Sequence, residues 1–226
     1  MKTRRVRSTW LIVQYDDRKL DENTEILVKE NKEYAKKHGY AYKFIDSGYT
    51  DIPPYWRKVS LVKDLLPKYK GILWLDTDAV VFNSSKSLDS IMNSRRSMFV
   101  SRDNWRAKKD HFNAGVWLIK NTPEMNTLMS DWESLYRKDE WLKNSHGKWH
   151  TKGKWSDITY EQGSFIHNIA SKYKKHIKWL PCNILQGAIE DINTQNEPFI
   201  IHFMDKLKEY IPGFVKIFIT MPKYHL

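Results

Sequence analysis

Apolar and polar positions alternate along this 226-residue chain with two different periods. Residues 9–15 form a β-branched and aromatic run that predicts a strand, whereas residues 22–38 place apolar side chains at helical spacing before Gly39 and predict a helix. The same criteria predict strands over residues 40–45, 71–82, 97–101, 114–119, 177–180 and 199–203, and helices over residues 55–69, 87–92, 122–136 and 158–174. Strands that alternate with helices are typical of an α/β protein with a mainly parallel central sheet flanked by helices.

Two carboxylates interrupt the apolar run of residues 71–82. A buried strand is apolar on both faces, so Asp76 and Asp78 are costly there unless a cation compensates their charge. Oxygen ligands suit a divalent metal ion. Carboxylates without thiolates favour Mg²⁺ or Mn²⁺, and one added imidazole favours Mn²⁺. The sequence therefore predicts that Asp76 and Asp78 bind a metal ion.

A candidate for the imidazole is His202, which lies within the apolar segment 199–203. The alternative is a core histidine whose ring is hydrogen-bonded by a backbone carbonyl. Lys206 and Lys208 follow closely and could bind phosphate oxygens, which favours the edge of an anion site.

Predicted strand ends place further polar residues near the acidic pair. In parallel sheets, ligands bind in the crevice beyond the carboxyl ends of the strands. Residues 14–17 end the first predicted strand, and Asp76 and Asp78 also fall at a strand end, so we expect them to share one crevice.

Composition adds a strong positive charge. Lys and Arg number 38 against 27 for Asp and Glu, which gives a formal net charge of +11. A basic surface suits an anionic ligand, an acidic membrane face or nucleic acid, and does not choose among them. The length favours a single domain over residues 1–226. Its residues 1–8 form a basic arm that we expect to contact anionic lipid at a membrane surface.

Cysteine usage and the N-terminal pattern indicate a cellular compartment. Cys182 is the only cysteine, so neither an intrachain disulfide nor a cysteine-based zinc site can form. The apolar patch at residues 10–13 is too short for a signal peptide or a membrane span. These features predict a cytoplasmic protein.

Four segments resemble, in the same order, the motifs of a known group of enzymes. They are WLDTD (74–78), FNAGV (112–116), EQ (161–162) and HFMDKLK (202–208). Each is weak alone, but their order and spacing are specific. The chain therefore resembles the GT-A fold glycosyltransferases, in particular the galactosyl/xylosyl/α-1,6-mannosyltransferase family and the glycogenin-like family. The resemblance implies one GT-A domain with a Rossmann-like sheet.

The resemblance also implies roles for individual residues. The implied metal ligands are Asp76, Asp78 and His202. The implied donor-binding residues are Gln14, Tyr15, Asp16, Lys58, Asp76, Asn113, Ala114, Gly115, Lys206 and Lys208, and the catalytic candidates are Glu161, Gln162 and Asp157. Asn113 and Gly115 would face the donor sugar, and Tyr15 would stack on the nucleobase. A lysine at position 206 or 208 would bind the diphosphate.

Two positions depart from the motifs. Glu161 stands where the family usually has Asp, and Asp205 stands where it has Gly. The longer acid could alter donor contacts, and a carboxylate at position 205 is unfavourable beside a diphosphate unless it points away.

The predicted activity is transfer of a hexose or pentose from a nucleotide sugar, with a UDP-sugar as the favoured donor, to a saccharide, glycoprotein or glycolipid acceptor. Mn²⁺ or Mg²⁺ would stabilise the departing diphosphate. The Trp-rich segment 138–157 is the candidate acceptor loop, because aromatic faces stack on sugar rings. The resemblance implies retention of configuration; an inverting enzyme would need a general base, such as Asp157 or Glu161.

Two other classes of protein remain as alternatives. A nucleic-acid-binding protein would explain the net charge and the interleaved Trp and Lys of residues 141–155, but it leaves the acidic pair and the FNAGV segment unexplained. A peripheral membrane protein is compatible with transferase activity. Members of the family are usually tethered in the Golgi by an N-terminal span, which this sequence does not show; a cytosolic bacterial or viral enzyme, or an excised catalytic domain, is the expectation.

Overall fold

The computed structural model describes residues 9–102 and 112–221 of the chain. Its strands are β1 (Trp10–Tyr15), β2 (Ala41–Ile45), β3 (Gly71–Leu75), β4 (Ala79–Val81), β5 (Met98–Arg102), β6 (Phe112–Lys120), β7 (Trp141–Lys143), β8 (Trp149–Thr151), β9 (Ile177–Leu180) and β10 (Ile200–His202). Its α-helices are α1 (Glu22–Lys37), α2 (Pro54–Leu65), α3 (Leu88–Ile91), α4 (Pro123–Ser134), α5 (Glu161–Ser164), α6 (Cys182–Leu185) and α7 (Ile211–Phe214). The predicted basic arm at residues 1–8 lies outside the described residues, so its lipid contact and the extent of a single domain stay predictions.

Six strands form the central sheet, in the order β2-β1-β3-β6-β5-β9. Strands β2, β1 and β3 are parallel to one another, and β5 is parallel to β9. Strand β6 runs antiparallel to both of its neighbours, β3 and β5. The prediction of an α/β fold with a mainly parallel sheet is confirmed, with β6 as the reversed strand.

The predicted strand over residues 71–82 is interrupted in the structure. Strand β3 ends at Leu75, and the chain resumes as β4, which leaves the central sheet and pairs antiparallel with β10. The break is a turn in which the amide of Ala79 donates to the carbonyl of Asp76 at 3.0 Å. Two carboxylates in a buried ladder would have no water, so the turn brings them to the sheet edge.

Two other segments differ from the sequence prediction. The helix expected over residues 158–174 begins at Glu161 and continues beyond Ser164 as a π-helical turn over Phe165–Ile169. The segment 138–157, expected to be a loop, contains a hairpin in which β7 pairs antiparallel with β8. A three-residue strand is too short for periodicity to reveal.

The core has one apolar layer on each face of the sheet. Along β1, Leu11 and Val13 pack in the layer that contains Trp56 of α2 and Trp132 of α4. The alternate residues of β1 pack on the other face, in the layer that contains Tyr34 and Ala35 of α1. This period of two is the side-chain alternation of a strand that is covered on both faces.

A buried amide ties α1 to the acidic turn. Asn31 is completely buried, and its Nδ2 donates to the carbonyl of Ala79 at 2.8 Å and to Oε1 of Gln14 at 3.3 Å. Its Oδ1 accepts from the amide of Val81 at 2.9 Å. One side chain therefore hydrogen-bonds both ends of β4, the strand that follows the turn.

No helix within residues 9–102 and 112–221 has the length and apolar character needed to cross a membrane.

We expect Asn31→Ala to lower the free energy of unfolding by about 2 to 3 kcal/mol, because buried groups of Ala79 and Val81 would lose their partner. Urea denaturation followed by circular dichroism measures the change. Lys32→Ala, at an exposed position of the same helix, is the control and should change stability by less than about 0.5 kcal/mol. Equal midpoints for Asn31→Ala and the unmodified chain would contradict this role for the amide.

Candidate active site and metal centre

Two acids and one histidine come together at the edge of the central sheet. Asp76 and Asp78 lie in the turn between β3 and β4, and His202 ends β10, where it pairs with Ala79. One ligand atom from each of the three residues lies within 4.8 Å of the others. The strand pairing of β10 with β4 thus brings the imidazole to the acidic turn, and the three side chains could hold a metal ion.

The hydrogen-bond network of His202 shows that its Nδ1 carries a proton. Its Nδ1 lies 2.6 Å from Oε1 of Gln186. The Gln186 amide nitrogen donates to the carbonyls of Asn113 and Val116 at 3.3 and 3.2 Å, so its Oε1 must accept, and Nδ1 of His202 carries the proton. Nε2 lies 3.3 Å from Oδ1 of Asp78: the protonated ring donates to this carboxylate, and after loss of that proton the Nε2 lone pair could bind a metal ion. A metal-binding histidine needs this tautomer and this kind of partner.

Gly115 lies directly against the imidazole ring. A Cβ at this position would be 2.1 Å from Cε1 and 2.7 Å from Nε2 of His202, far inside van der Waals distance. The carbonyl of Gly115 also accepts from the amide of Asp76 at 2.8 Å. The glycine of FNAGV is therefore required because β6 approaches both the acidic turn and the histidine.

Lys208 forms an ion pair with Asp78. Its Nζ lies 2.8 Å from Oδ2, and about half of the lysine side chain is exposed. Burial raises the pKa of Asp78, but His202 and Lys208 outweigh it and hold this pKa well below its ordinary value. Lys206 is exposed, and the ion pair to the acidic turn is made by Lys208.

Asp205 shapes the segment that carries Lys208. Its φ is +49°, in the left-handed region that favours glycine. The family motif that this segment resembles has Gly at this position. Asp is one of the few other residues that adopt left-handed backbone angles at moderate cost.

Lys58 neutralises Asp76 from within the protein. Its buried Nζ donates to Oδ1 and Oδ2 of Asp76 at 3.0 and 3.1 Å and to the carbonyl of Ala114 at 3.2 Å. Burial lowers the pKa of Lys58, but Asp76 and Glu161 outweigh it and raise this pKa above its ordinary value. Nε1 of Trp74 also donates to Asp76, at 2.8 Å. The orientation of the Asp76 carboxylate is therefore fixed by three donated hydrogen bonds.

Glu161 is a buried acid beside this pair. Only 3% of the residue is exposed, and its Oε1 lies 3.6 Å from Nζ of Lys58. Its Oε2 has no hydrogen-bond partner among the described residues. Burial raises the pKa of Glu161 to about 7, although Lys58 lowers it, and Asp76 adds to the rise. A carboxyl that titrates near neutral pH is suited to acid–base chemistry.

Gln162 and Asp157 have different surroundings. The Gln162 side chain accepts from the amide of Ala114 at 3.5 Å and donates to Oγ of Ser156 at 2.6 Å, so it joins β6 to the segment 138–157. Both carboxylate oxygens of Asp157 accept backbone amides, from Thr159 and Lys154, each at 2.8 Å. Asp157 thus stabilises a turn, and this geometry does not favour the predicted catalytic role.

The end of β1 contributes an aromatic ring and a buried guanidinium. The Arg57 guanidinium lies 5.4 Å from the ring centroid of Tyr15 and donates to its hydroxyl at 3.0 Å. Arg57 is 4% exposed and also forms an ion pair with Asp17. Arg57, itself paired with Asp17, therefore contacts both the ring and the hydroxyl of Tyr15.

Asp16 and Gln14 support the same edge. Oδ2 of Asp16 accepts from Thr77, the residue between the two acids, at 2.8 Å, and both its oxygens accept from Arg18 at 2.8 and 2.7 Å. Burial raises the pKa of Asp16, but these hydrogen bonds hold it below its ordinary value. Gln14 is completely buried, and its amide donates to the carbonyl of Asp76 at 3.3 Å. In this position Gln14 lies below the acidic turn, and its predicted donor contact is not favoured.

Several of these residues were missed by the sequence analysis. Gln186, Arg57, Arg18 and Thr77 each contact a predicted site residue. Gln186 is the polar residue after an apolar pair, Ile184-Leu185, which is a weak signal. Its pairing with His202 depends on tertiary contacts that periodicity does not describe.

The donor set fits a hard divalent ion. Two carboxylates and one imidazole, without a thiolate, suit Mn²⁺ or Mg²⁺. The fit rests on two further observations: the tautomer fixed by Gln186, and the lack of a Cβ at Gly115, whose place the His202 ring occupies.

Comparisons with known proteins connect this geometry to a group of enzymes. The model of the galactosyl transferase GMA12/MNN10 family matches residues 10–105, which include β1 and the acidic turn. An alpha-1,2-galactosyltransferase of Schizosaccharomyces pombe is 29% identical over 148 residues, which cover 49% of this chain and 40% of that protein. The probable alpha-1,6-mannosyltransferase MNN10 of Saccharomyces cerevisiae is 25% identical over 192 residues, covering 77% of this chain and 43% of that protein. The chain thus spans about two fifths of the length of these curated relatives.

A solved structure has the same fold. The crystal structure of a glycosyltransferase involved in the glycosylation of the major capsid of PBCV-1 superposes with a TM-score of 0.68 at 14% identity, covering 91% of this chain and 99% of that one. The chain therefore has the GT-A glycosyltransferase fold, and the predicted resemblance to galactosyl and mannosyl transferases is confirmed.

We expect Gly115→Ala to lower Mn²⁺ affinity at least about tenfold, because the new Cβ would displace the His202 ring from the acidic turn. Isothermal calorimetry with MnCl₂ and UDP measures the affinity. Gly213→Ala is the matched control, since a Cβ there meets no atom within 4 Å. Unchanged Mn²⁺ affinity in Gly115→Ala would rule out this packing requirement.

We expect Glu161→Gln to change the pH dependence of stability. The pKa of Glu161 is about 7 in the folded chain, above its ordinary value of 4.5, so the folded state binds the proton more tightly. Its contribution to the free energy of unfolding is fully present below pH 4.5 and is lost as pH rises to 7, by on the order of 3 kcal/mol. Urea unfolding in EDTA should therefore show the unmodified chain losing stability relative to Glu161→Gln over this range. Parallel curves would contradict the raised pKa.

Proposed function

We propose that this chain, a GT-A-fold protein related to galactosyl and mannosyl transferases, is a metal-dependent glycosyltransferase that moves a hexose or pentose from a UDP-sugar to a saccharide or glycoconjugate acceptor. The observation that carries the proposal is the convergence of Asp76, Asp78 and His202 within 4.8 Å, with the histidine tautomer fixed by Gln186.

The leaving group would be a nucleoside diphosphate. A divalent ion held by Asp76, Asp78 and His202 would neutralise charge that develops on the diphosphate. Besides the divalent ion, Lys208 would be a second positive charge next to the diphosphate. Its ion pair with Asp78 and its half-exposed side chain support a role in which the ammonium exchanges the carboxylate for a phosphate oxygen.

The nucleoside would bind at the end of β1. Tyr15 offers an aromatic ring for the base, and its orientation is supported by the buried Arg57. Asp16 is held ionised by Arg18 and Thr77 and is an acceptor for a ribose hydroxyl.

The donor sugar would lie between the metal centre and α5. Asn113 and Gly115, which are hydrogen-bonded to each other next to His202, would face the sugar from the metal side, and Glu161 and Gln162, which start α5, would face it from the other side. Lys58 links the two sides, because it bonds Asp76 and Ala114 and lies 3.6 Å from Glu161.

We propose retention of configuration. The acceptor hydroxyl would attack the anomeric carbon on the face that the diphosphate leaves. The bond to the phosphate oxygen breaks, and the acceptor proton passes to that departing oxygen, so no protein base is needed.

An inverting transferase is a second candidate, favoured by one observation. The pKa of Glu161 lies about 7 because of burial, which suits a general base at neutral pH. Proton NMR of the newly formed glycosidic bond distinguishes the two: the same anomeric configuration as the donor supports retention, and the opposite one supports inversion.

We expect Asp78→Asn to weaken Mn²⁺-dependent UDP binding by more than about 100-fold. Removing a residue that only hydrogen-bonds a metal ligand already lowers metal affinity by up to about 100-fold, and Asp78 would be a ligand itself. Calorimetry of UDP in MnCl₂, together with hydrolysis of a panel of nucleotide sugars, measures binding and turnover.

Asp46→Asn, at an exposed position after β2, is the control and should bind and turn over like the unmodified chain. The proposal fails if the unmodified chain gives no heat with Mn²⁺ and UDP, or if Asp78→Asn binds equally well.

A further inference from the structure

Four aromatic rings pack together beside the proposed donor site. They are Tyr55, Trp141, Trp155 and Tyr160, named here the aromatic stack. From its position and exposure we infer that the aromatic stack is an acceptor subsite, in which Trp155 binds the apolar face of a neutral pyranose ring. The inference rests on the proposed function and adds the residue and the acceptor class to it.

Trp155 is exposed but held in place. Its side chain is 64% exposed, which is unusual for the largest apolar residue type. Its ring centroid lies 5.3 Å from that of Tyr55 and 4.9 Å from that of Tyr160. Trp141, 5.1 Å from Tyr160 and 4% exposed, anchors the stack in the core. The indole is therefore preorganised for a ligand.

The backbone around Trp155 is also fixed. The next residue, Ser156, has a φ of +67°, a conformation that costs a non-glycine residue free energy. Its hydroxyl accepts from Gln162 at 2.6 Å, and the Asp157 carboxylate closes the turn by accepting the amides of Lys154 and Thr159. A strained backbone persists only where surrounding contacts impose it. Here the hydrogen bonds of Ser156 and Asp157 impose it, and they connect the segment that carries Trp155 to the start of α5.

The aromatic stack lies close to the proposed reaction centre. Tyr160 immediately precedes Glu161, and Tyr55 lies one helical turn before Lys58 on α2. Glu161 and Lys58 are 3.6 Å apart. Burial raises the pKa of Tyr55.

The chemistry of the stack favours a neutral saccharide. Aromatic faces bind the apolar C–H face of a pyranose, while hydroxyl groups at the ring edge remain hydrogen-bonded. A nucleic acid could also stack on Trp155. Around the base of the stack, however, lie the carboxylates of Glu161, Asp157 and Glu140, the last of which accepts from Thr159 at 3.0 Å. Lys152 and Lys154 also adjoin Trp155, so local charge does not separate the two ligands, and the similarity to galactosyl and mannosyl transferases favours the saccharide.

The test compares saccharide binding by four forms of the full chain: unmodified, Trp155→Ala, Trp155→Tyr and Ile217→Ala. Ile217 is an exposed apolar residue outside the aromatic stack and is the matched control. Saturation-transfer NMR, with diamagnetic MgCl₂ and UDP present, uses cellobiose, lactose, maltose and α-1,2-mannobiose as probes, and a ten-residue oligothymidylate as the nucleic-acid probe. UDP binding is measured by calorimetry on each form.

We expect the unmodified chain to bind at least one disaccharide and Trp155→Ala to bind it about tenfold more weakly, which is the upper range for one aromatic contact. Trp155→Tyr should recover most of the affinity, and Ile217→Ala should match the unmodified chain. UDP binding should be equal in all four forms.

The inference is overturned if no disaccharide binds while UDP does, if Trp155→Ala binds saccharide as well as the unmodified chain, or if only the oligothymidylate binds in a Trp155-dependent manner. Loss of UDP binding in every form, with Trp155-dependent saccharide binding intact, would instead refute the donor chemistry and leave the acceptor subsite standing.

Discussion

The charge of two carboxylates at the end of a buried strand is the constraint on which the site depends. Asp76 and Asp78 cannot remain in a ladder without water, so β3 ends there and the chain turns. Cationic groups then meet them from two directions, Lys58 from α2 and Lys208 from the segment after β10. Each negative charge is compensated separately, because each acid is paired with its own lysine. This arrangement places two carboxylates, each with a cationic partner, at one point of the sheet edge.

The antiparallel strand β6 brings a second segment of the sheet to the site. The parallel strands β1 and β3 end at the same edge, and because β6 runs the other way, its beginning lies at that edge too, with Val116 paired to Leu75. The residues before Val116 therefore reach the acidic turn. A uniformly parallel sheet would place the start of this strand at the opposite edge, away from His202 and Gln186. Mixed topology thus brings distant segments to one edge of the sheet.

Much of the fold could be predicted from sequence because apolar periodicity is a local property. The strand predicted at 177–180 has the bounds that the structure shows, and the helix predicted over 122–136 corresponds to α4. Contacts between distant segments were harder. The bond between Gln186 and His202 and the supporting position of Gln14 depend on how strands pair, and the turn after Leu75 depends on charge burial rather than on periodicity. The assignment of individual site residues to the donor and acceptor stays a prediction.

The left-handed residue at position 205 has a consequence for comparing such chains. It bends the segment after β10 so that the ammonium of Lys208 returns to the acidic turn, whereas Lys206 stays at the surface. Backbone handedness, more than the number of intervening residues, decides which lysine reaches the carboxylate. Two relatives could therefore carry their phosphate-facing cation at different spacings from the histidine and still present it at the same place in space, provided that each bends accordingly. An alignment that counts columns would treat these cations as unrelated.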